Sequence, residues 1–456
     1  MREAASGVLL DNWLEQRSRT CPDRVALIDG RREISFAELE LEASAAARRL
    51  AAKGVRAGSV VVLELGPGIE HAVALHALMK LGAVSVPLDF SMAEPERDRA
   101  LTEIAPDLIV ATEADSSGPE ADLPLLGEHD LDAPQCRILT SGSSGDPRAV
   151  TLTYGNALWS AVGSAFNLGV DPADRWLCCL PLHHVSGLSI LLRSAIYGTG
   201  AVLHDGFETD AVAAALETRQ LTIVSLVPTQ LERLLQVEAP LENPRVILVG
   251  GGPVSVDALR KATDQGATIV QTYGLTEAAS QVTTLAPEDA HSRLGSAGRP
   301  LLTTHLRIHQ EEILVQGPTV APGCADDAGW LHTGDRGSID EDGFLYVHGR
   351  LDEMIITGGE NVAPEEVEAA LISHPDVAEV AVVGREDREW GEVVEAAVVP
   401  SEGATPPEGE LREHCAQYLA GFKVPKRIHL VSELPRTATG KLRRRALLRF
   451  DYHHQR

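Results

Sequence analysis

The chain has 456 residues, too many for one ordinary hydrophobic core, so two or three packed units are expected. Its 44% hydrophobic and 23% charged residues match a soluble globular protein and exclude a disordered or fibrous one. Sixty-six Asp and Glu against 40 Lys and Arg leave a formal charge of −26, which repels nucleic acid and anionic membranes and confines polyanion binding to a local basic patch.

Strand-like apolar runs alternate with amphipathic helical runs, the pattern of an α/β architecture with largely buried sheets. Residues 59–65 read as a strand and Ile69–Leu81 as the helix after it. Residues 113–134 carry seven acidic side chains and no Lys or Arg, broken by Gly118, Pro119, Pro124 and Gly127, and read as an exposed connection. A short strand at 136–139 precedes a Ser/Gly-rich segment, and 149–153 is β-like again. Strand 201–203, helix 210–219, strand 222–226 and helix Pro228–Gln236 continue the alternation, with further strands at 245–249 and 267–271. Beyond 349–352, a helix at 364–373 and strands at 377–383 and 392–399 predict a small α+β domain.

No apolar run approaches the roughly 20 residues of a membrane span. Met1-Arg2-Glu3-Ala4 opens no signal-peptide pattern, and a cytoplasmic location is expected. The six cysteines, Cys21, Cys136, Cys178, Cys179, Cys324 and Cys415, form no C-x-x-C pair and are expected to be reduced. Cys178 and Cys179 read as small core residues rather than metal ligands.

Thr140-Ser141-Gly142-Ser143-Ser144-Gly145-Asp146-Pro147-Arg148 is the most informative stretch. Two glycines let backbone N–H groups converge on phosphate oxygens, the hydroxyls add donors, and Arg148 adds positive charge, as a nucleotide triphosphate requires. No Gly-Lys-Ser/Thr follows, so it is not a Walker loop, and a Ser/Gly-rich linker has the same composition. In Gln271-Thr272-Tyr273-Gly274-Leu275-Thr276-Glu277, Tyr273 offers a ring to stack on a base, Thr276 a hydroxyl for phosphate and Glu277 a carboxylate for magnesium. An ordinary strand-to-helix turn would read the same way. Asp335, after Thr333-Gly334, suits a ribose diol or a plain turn. Gly440-Lys441 sits in a Gly/Thr-rich turn before Arg443, Arg444 and Arg445, which could face polyphosphate or form the solvated face of a last helix.

Taken in order, these motifs resemble the adenylate-forming superfamily of acyl-CoA synthetases, adenylation domains and luciferases, over nearly the whole chain. The phosphate loop matches from Thr140 through Pro147, with Arg148 and Ala149 replacing the usual Lys-Gly; arginine keeps the charge but spreads it over a planar fork. Tyr273–Glu277 stands for Tyr-Gly-x-Thr-Glu, 333–335 for Thr-Gly-Asp, 349–352 for Gly-Arg-x-Asp, and Gly440-Lys441 for the final Gly-Lys. The resemblance implies stacked, helix-flanked sheets in a large ATP- and acyl-binding domain, residues 1–351, and a small mobile α+β domain, residues 352–456, hinged at Asp352. It implies ATP contacts from Thr140, Ser141, Gly142, Ser143, Ser144, Gly145, Arg148, Gly251, Gly252, Thr272, Tyr273, Gly274, Thr276, Asp335, Arg350 and Lys441. Lys441, Thr276, Glu277 and His184 would act in catalysis, with Glu277 on Mg2+. His184, Ser225, Gly252 and Ser280 would border the acyl group, and Gly358 and Gly359 the thiol channel.

A narrower resemblance, to the o-succinylbenzoate–CoA ligases of menaquinone biosynthesis, lies in Pro181–Leu188, Val224–Leu231, Tyr273–Gln281 and Ile355–Asn361. The implied reactants are a small-molecule carboxylic acid, ATP and coenzyme A, with Mg2+ as activating ion. Other acid–CoA ligases, a stand-alone enzyme loading a carrier protein, and a non-catalytic nucleotide-binding relative share parts of this pattern. No nucleic-acid or membrane partner is expected, and the sequence leaves homo-oligomerisation open.

Overall fold

The computed structural model describes residues 7–112, 117–141, 147–218, 220–358, 360–388, 390–436 and 442–448. They form two compact units. One comprises Met1–Arg307, Leu314–His332 and Glu341–Leu345, the other Ile308–Ile313, Thr333–Asp340 and Tyr346–Arg456.

The first unit is built on two large sheets. The nine-stranded sheet runs, from edge to edge, Arg299–Pro300, Ser280–Thr284, Ile269–Leu275, Val246–Val249, Ile223–Leu226, Arg175–Cys178, Gly200–Leu203, Val25–Ile28 and Glu33–Ser35. The pairs from Ile269–Leu275 across to Val25–Ile28 are parallel, and one row of the ladder reads Leu177, Val224, Ile247, Ile269, one residue from each strand. Parallel strands are joined by helices that cover both faces, so runs such as Val246–Val249 are apolar throughout rather than alternating. Their side chains meet Leu216, Leu231, Leu234 and Leu259 from helices Thr209–Glu217, Pro228–Gln236 and Val256–Asp264 in one closed core.

The five-stranded sheet has the order Leu108–Val110, Val60–Leu63, Val84–Pro87, Pro134–Ser141, Pro147–Thr153, parallel except for the last pair. Helix Phe36–Ala52 starts in a capping box: the Ser35 hydroxyl accepts from the Glu38 N–H at 3.3 Å, and the Glu38 carboxylate accepts from the Ser35 N–H at 2.8 Å. Helix Ile69–Leu81 is expected to be amphipathic yet is buried on nearly every side, Lys80 included. The ammonium of Lys80 is paired with Glu40 of helix Phe36–Ala52 at 2.5 Å, which is what permits a lysine at 2% exposure.

A four-stranded sheet, His305–His309, Glu312–Gln316, Leu331–Ile339 and Leu345–Arg350, contains the points where the chain passes from one unit to the other. The second unit has its own sheet. A long hairpin, Val377–Asp387 with Gly391–Pro400, takes Arg427–Leu430 in parallel on one side and Ile355–Thr357 with Glu360–Val362 on the other. Helices Pro364–Ile372 and Glu408–Ala416 close a separate core around Val367, Leu371, Val382, Val398 and Leu411.

Arg443, Arg444 and Arg445 correct one expectation. Arg443 is exposed, but the Arg444 side chain is only 14% exposed and faces carboxylates rather than water. All six cysteines are free thiols, and Cys178 and Cys179 are 1% exposed within the core. Among the described residues, no helix is long and apolar enough to cross a membrane.

Ile247 is fully enclosed in the middle of the parallel ladder. Ile247→Ala removes three carbons from a site walled by strands on both sides. It is expected to destabilise the first unit by about 2–5 kcal/mol, read as a lowered denaturant midpoint.

Candidate active site

The parallel register decides where polar groups can stand. Cys178, Leu226, Val249 and Leu275 end four neighbouring strands, and the residues after them must leave the apolar sheet. Turns rich in Gly, Pro, His and Thr therefore gather at one edge, the carboxyl end, where open α/β sheets bind ligands. Gly250 receives its backbone bond from this geometry, its N–H donating to the Leu226 carbonyl at 3.2 Å. A side chain at Gly250 would press on the Thr272 methyl at 2.6 Å, so the close approach of the two strand ends requires glycine. Gly251 has φ +82, and a Cβ on Gly252 would meet the Pro228 ring at 3.6 Å, an ordinary contact.

Tyr273 and Gly274 do not form the turn their sequence allows. The strand continues to Leu275 and pairs antiparallel with Ser280–Thr284, with a bulge between Tyr273 and Gly274. A Cβ on Gly274 would overlap the Ser280 carbonyl oxygen. Ala279 and Ser280 both have positive φ, +52 and +93, unfavourable for residues with a Cβ, at the tip of this hairpin. Thr272 is committed inward: its hydroxyl donates to the Thr283 carbonyl at 2.8 Å and lies 2.9 Å from the Thr284 hydroxyl. The short turn Thr276–Ala278 then carries Thr276 and Glu277, both half-buried.

Glu277 is held from a distance by a helix cap. The Thr153 hydroxyl accepts from the Asn156 N–H at 3.1 Å, and the Asn156 amide oxygen accepts from the Thr153 N–H at 2.9 Å. The amide NH2 of Asn156 donates to the Pro318 and Val320 carbonyls at 2.8 and 3.1 Å, and the Ala321 N–H donates to the Glu277 carbonyl at 2.8 Å. Strand Pro147–Thr153, which leaves the Ser/Gly-rich segment, lies against the Thr276–Ala278 turn. Arg148 and Glu277 both act electrostatically on the Cys324 thiol, whose pKa is raised by burial and by Glu277 and lowered by Arg148. These residues are therefore brought together. The Thr140 hydroxyl donates to the Arg148 carbonyl at 3.2 Å, which closes the base of the segment. The Ser141 side chain, and Gly142, Ser143, Ser144 and Gly145, lie outside the described residues.

His184 caps helix Val185–Tyr197, and its ring stands 4.4 Å from that of His183. Gly187 permits this packing, because a Cβ there would overlap the Pro181 carbonyl oxygen. His183 lies 4.0 Å from Asp89; burial lowers its pKa and the Asp89 carboxylate partly opposes that. Ser225 is 6% exposed, and its oxygen accepts from the Trp176 indole N–H at 2.9 Å, so it serves the core as well as any ligand.

The same helix carries Arg193, a residue the motifs passed over. It is 3% exposed and lines a narrow cleft with Gln135, Ser160, Val185, Ser189 and Ala279. Its guanidinium donates to the Ser160 hydroxyl at 3.3 Å and stands 5.5 Å from the Trp176 ring centre, while its Nε is buried without a partner. No carboxylate among the described residues pairs with it, and burial lowers its pKa. The sequence signal was a lone charge within the otherwise uncharged helix Val185–Tyr197.

In the second unit, Thr333-Gly334-Asp335 lies within strand Leu331–Ile339 rather than in a loop. Gly334 has φ +68, and its N–H donates to Glu312 at 2.9 Å. The Asp335 N–H donates to the Thr333 hydroxyl at 3.0 Å. Arg350 reaches Asp335 at 3.1 Å, Asp352 at 3.0 Å and the Thr333 carbonyl at 3.0 Å. Burial alone would lower the pKa of this guanidinium, but the two carboxylates outweigh it and raise the pKa. Gly358 has φ +60 and packs against Trp390, whose ring would meet a Cβ at 2.8 Å. Gly359 and Lys441 lie outside the described residues.

Residues 14–324 match the family described as AMP-binding enzyme, and residues 366–441 match the AMP-binding enzyme C-terminal domain. The chain is 42% identical to a 2-succinylbenzoate–CoA ligase of Geobacillus kaustophilus, over 96% of this chain and 98% of that protein. The structure of o-succinylbenzoate CoA synthetase from Bacillus subtilis in complex with the acyl-adenylate intermediate matches with a TM-score of 0.90 at 37% identity, over 96% of this chain and 98% of that one. The same enzyme in complex with ATP and magnesium ion matches with a TM-score of 0.91 at 36% identity, over 97% and 100%. With both of its domains matched and relatives similar along almost their entire length, the chain belongs to the AMP-binding enzyme family.

Proposed function

We propose that this protein is the cytoplasmic o-succinylbenzoate–CoA ligase of a menaquinone pathway. A carboxylate oxygen of the acid attacks the α-phosphorus of ATP, a P–O bond forms and pyrophosphate leaves. The thiol of CoA then attacks the acyl carbon, a C–S bond forms and AMP leaves. Full-length relatives that carry this activity in their names support the reaction. The observation that carries the choice of acid is Arg193. An aryl acid that is activated at one carboxylate and retains a second needs a cation for the group that does not react. A desolvated guanidinium with a hydroxyl beside it and a vacant Nε suits that group. Ala279 and Ser280 present the hairpin tip to the same region.

For the nucleotide, the Ser/Gly-rich loop and Arg148 would hold the phosphates, and Tyr273 and the Gly250–Gly252 turn the base. Asp335, oriented by Arg350, would accept from the ribose hydroxyls. Lys441 would meet the charge that develops at the α-phosphate. Magnesium takes one or two protein carboxylates together with phosphates and water. Glu277 fits that demand as a single half-buried carboxylate whose backbone is tied down and which shares the field of Arg148. The ion would neutralise phosphate charge as pyrophosphate departs.

The acceptor thiol is better matched by CoA than by a carrier-protein arm. Exposed Trp390 packs on Gly358 of the expected thiol channel, with the Lys426 ammonium 5.3 Å from its ring centre. An adenine ring and a phosphate suit this pair, and a carrier-protein arm lacks the adenine. Asp352, in the Leu351–Glu353 turn, would be the hinge about which residues 352–456 turn between the two half-reactions.

Three outcomes are expected. With Mg-ATP and CoA, o-succinylbenzoate is turned over in clear preference to benzoate, and Arg193→Met removes that preference while lowering kcat/KM for o-succinylbenzoate roughly tenfold or more. Equal rates on both acids for the unaltered enzyme would leave an acid–CoA ligase of another substrate. Trp390→Ala raises the KM for CoA about fivefold or more with pyrophosphate release unchanged, because a lost base stack is worth about 1–3 kcal/mol. Asp352→Pro releases pyrophosphate at near-normal rate but forms no thioester, since proline fixes φ where the backbone must turn; normal CoA-dependent turnover would remove Asp352 as hinge.

A further inference from the structure

A bulge in the five-stranded sheet brings a second polar side chain to the cleft that Arg193 lines. Strand Pro134–Ser141 pairs antiparallel with Pro147–Thr153, but Pro134 stands opposite Thr153 and Cys136 opposite Leu152, so two steps on one strand match one step on the other. Gln135 is the extra residue. Consecutive residues of a regular strand point to opposite faces, and a bulge breaks that alternation and re-aims a side chain. Gln135 and Cys136 accordingly line the same cleft, together with Ser160 and Arg193. The bulge is anchored from the strand on its other side, where the fully buried Ser85 hydroxyl donates to the Gln135 backbone carbonyl at 3.4 Å.

Gln135 is 1% exposed, yet its carboxamide is poorly satisfied. The NH2 reaches the Met79 sulfur at 3.7 Å, a weak acceptor, and the amide oxygen is buried without a partner among the described residues. In the same cleft the Nε of Arg193 is a donor without an acceptor. Leu152, Val185, Leu188 and Leu192 supply much of the remaining wall. A position that served packing alone would be cheaper as methionine or leucine, because a buried amide in this state has lost its water and gained little in return.

The last torsion of a glutamine ends on an sp2 group and is soft, so a half-turn exchanges the two ends of the amide. The half-turn gives up only the contact with sulfur, leaves the oxygen as unsatisfied as before, and presents N–H donors to the cleft. The Ser160 hydroxyl accepts from Arg193 at 3.3 Å and keeps its own proton to donate. A carboxylate in the cleft thus meets donors from strand Pro134–Ser141, helix Tyr154–Leu168 and helix Val185–Tyr197. Because the amide is neutral, it adds a bond to the bound anion without burying a second cation in the empty cleft.

We infer that Gln135 is a specificity residue for the acid, whose carboxamide donates to one oxygen of the non-reacting carboxylate while Arg193 takes the other. The inference rests on the role proposed above for Arg193 and deepens it. In the full-length enzyme, pyrophosphate release is measured with Mg-ATP and either o-succinylbenzoate or 3-benzoylpropanoate, the same keto-acid without the carboxylate on the ring. The preference is the ratio of the two kcat/KM values. Gln135→Met keeps the length of the side chain and removes both amide groups; it is expected to lower the preference roughly ten- to hundredfold, through the KM for o-succinylbenzoate, with the KM for ATP changed by less than about twofold. Gln135→Glu sets a carboxylate of the same shape against the acid and is expected to lower the preference further, by about a hundredfold or more.

An unchanged preference in both variants, whether the two acids lose activity in proportion or neither does, overturns the inference in favour of a packing role. If Gln135→Met does not fold, Gln135→Glu decides alone. Loss of the preference in Arg193→Met with its retention in Gln135→Met and Gln135→Glu overturns the inference and leaves the reading of Arg193 standing. An unaltered enzyme with no preference between the two acids removes both.

Discussion

The parallel hydrogen-bond ladder is the constraint on which the rest depends. Strands covered by helices on both faces have no room for polar side chains along their length, so every group that can do chemistry is displaced to where the strands stop. Because one row passes through Leu177, Val224, Ile247 and Ile269, the strands ending at Cys178, Leu226 and Val249 stop within a residue of one another, while the fourth runs on to Leu275 against Ser280–Thr284. The histidines after Cys178 and the glycines after Val249 arise from distant parts of the chain and are aligned by that register, and the turn after Leu275 is placed by the hairpin that extends it. The glycines at 250 and 274 are the other half of the same constraint, since level strand ends crowd the backbones that leave them.

An enzyme with a formal charge of −26 must bind a triphosphate against its own long-range field. It does so with few cations, each placed among acids. Arg350 lies between Asp335 and Asp352, Arg444 among three glutamates, and Lys80 against Glu40. Such pairs hold backbone positions more than they attract ligands, because the carboxylates cancel most of the outward field. In the proposed site, attraction would be left to backbone N–H groups, to Arg148, to Lys441 and to the metal that accompanies ATP. The cleft lined by Arg193 is the exception, with a cation that no carboxylate among the described residues pairs with.

The alternation of strands and helices was legible because buried strands are continuous apolar runs, and the observed strands Val60–Leu63, Ile223–Leu226 and Val246–Val249 fall within one or two residues of those expected. Membership of the AMP-binding enzyme family was legible because its short motifs stand in order along the chain. What was not legible depends on partners far along the chain. Tyr273 and Gly274 extend a strand only because Ser280–Thr284 pairs back on it through strained Ala279 and Ser280. Ile69–Leu81 is enclosed rather than amphipathic because Glu40 satisfies its lysine. Ser225 resembled a ligand group, and the indole that occupies its hydroxyl is 49 residues away. Arg444 looked like a solvated charge because its three carboxylates come from elements between 76 and 91 residues earlier in contact with it.

Arg193 is costly for the free protein to keep, because a desolvated guanidinium with a hydroxyl as its hydrogen-bond partner lacks the interactions it would have in water. Any anion that settles beside it returns that free energy to the folded state alone, since the unfolded chain hydrates the same group at no penalty. An acid bound there as proposed would act as a folding ligand as well as a reactant. In a cell where unfolded chains are continually degraded, the lifetime of the enzyme would lengthen when its substrate accumulates and shorten when supply stops. A single buried charge in an otherwise uncharged helix would thereby couple the amount of enzyme to the supply of its acid.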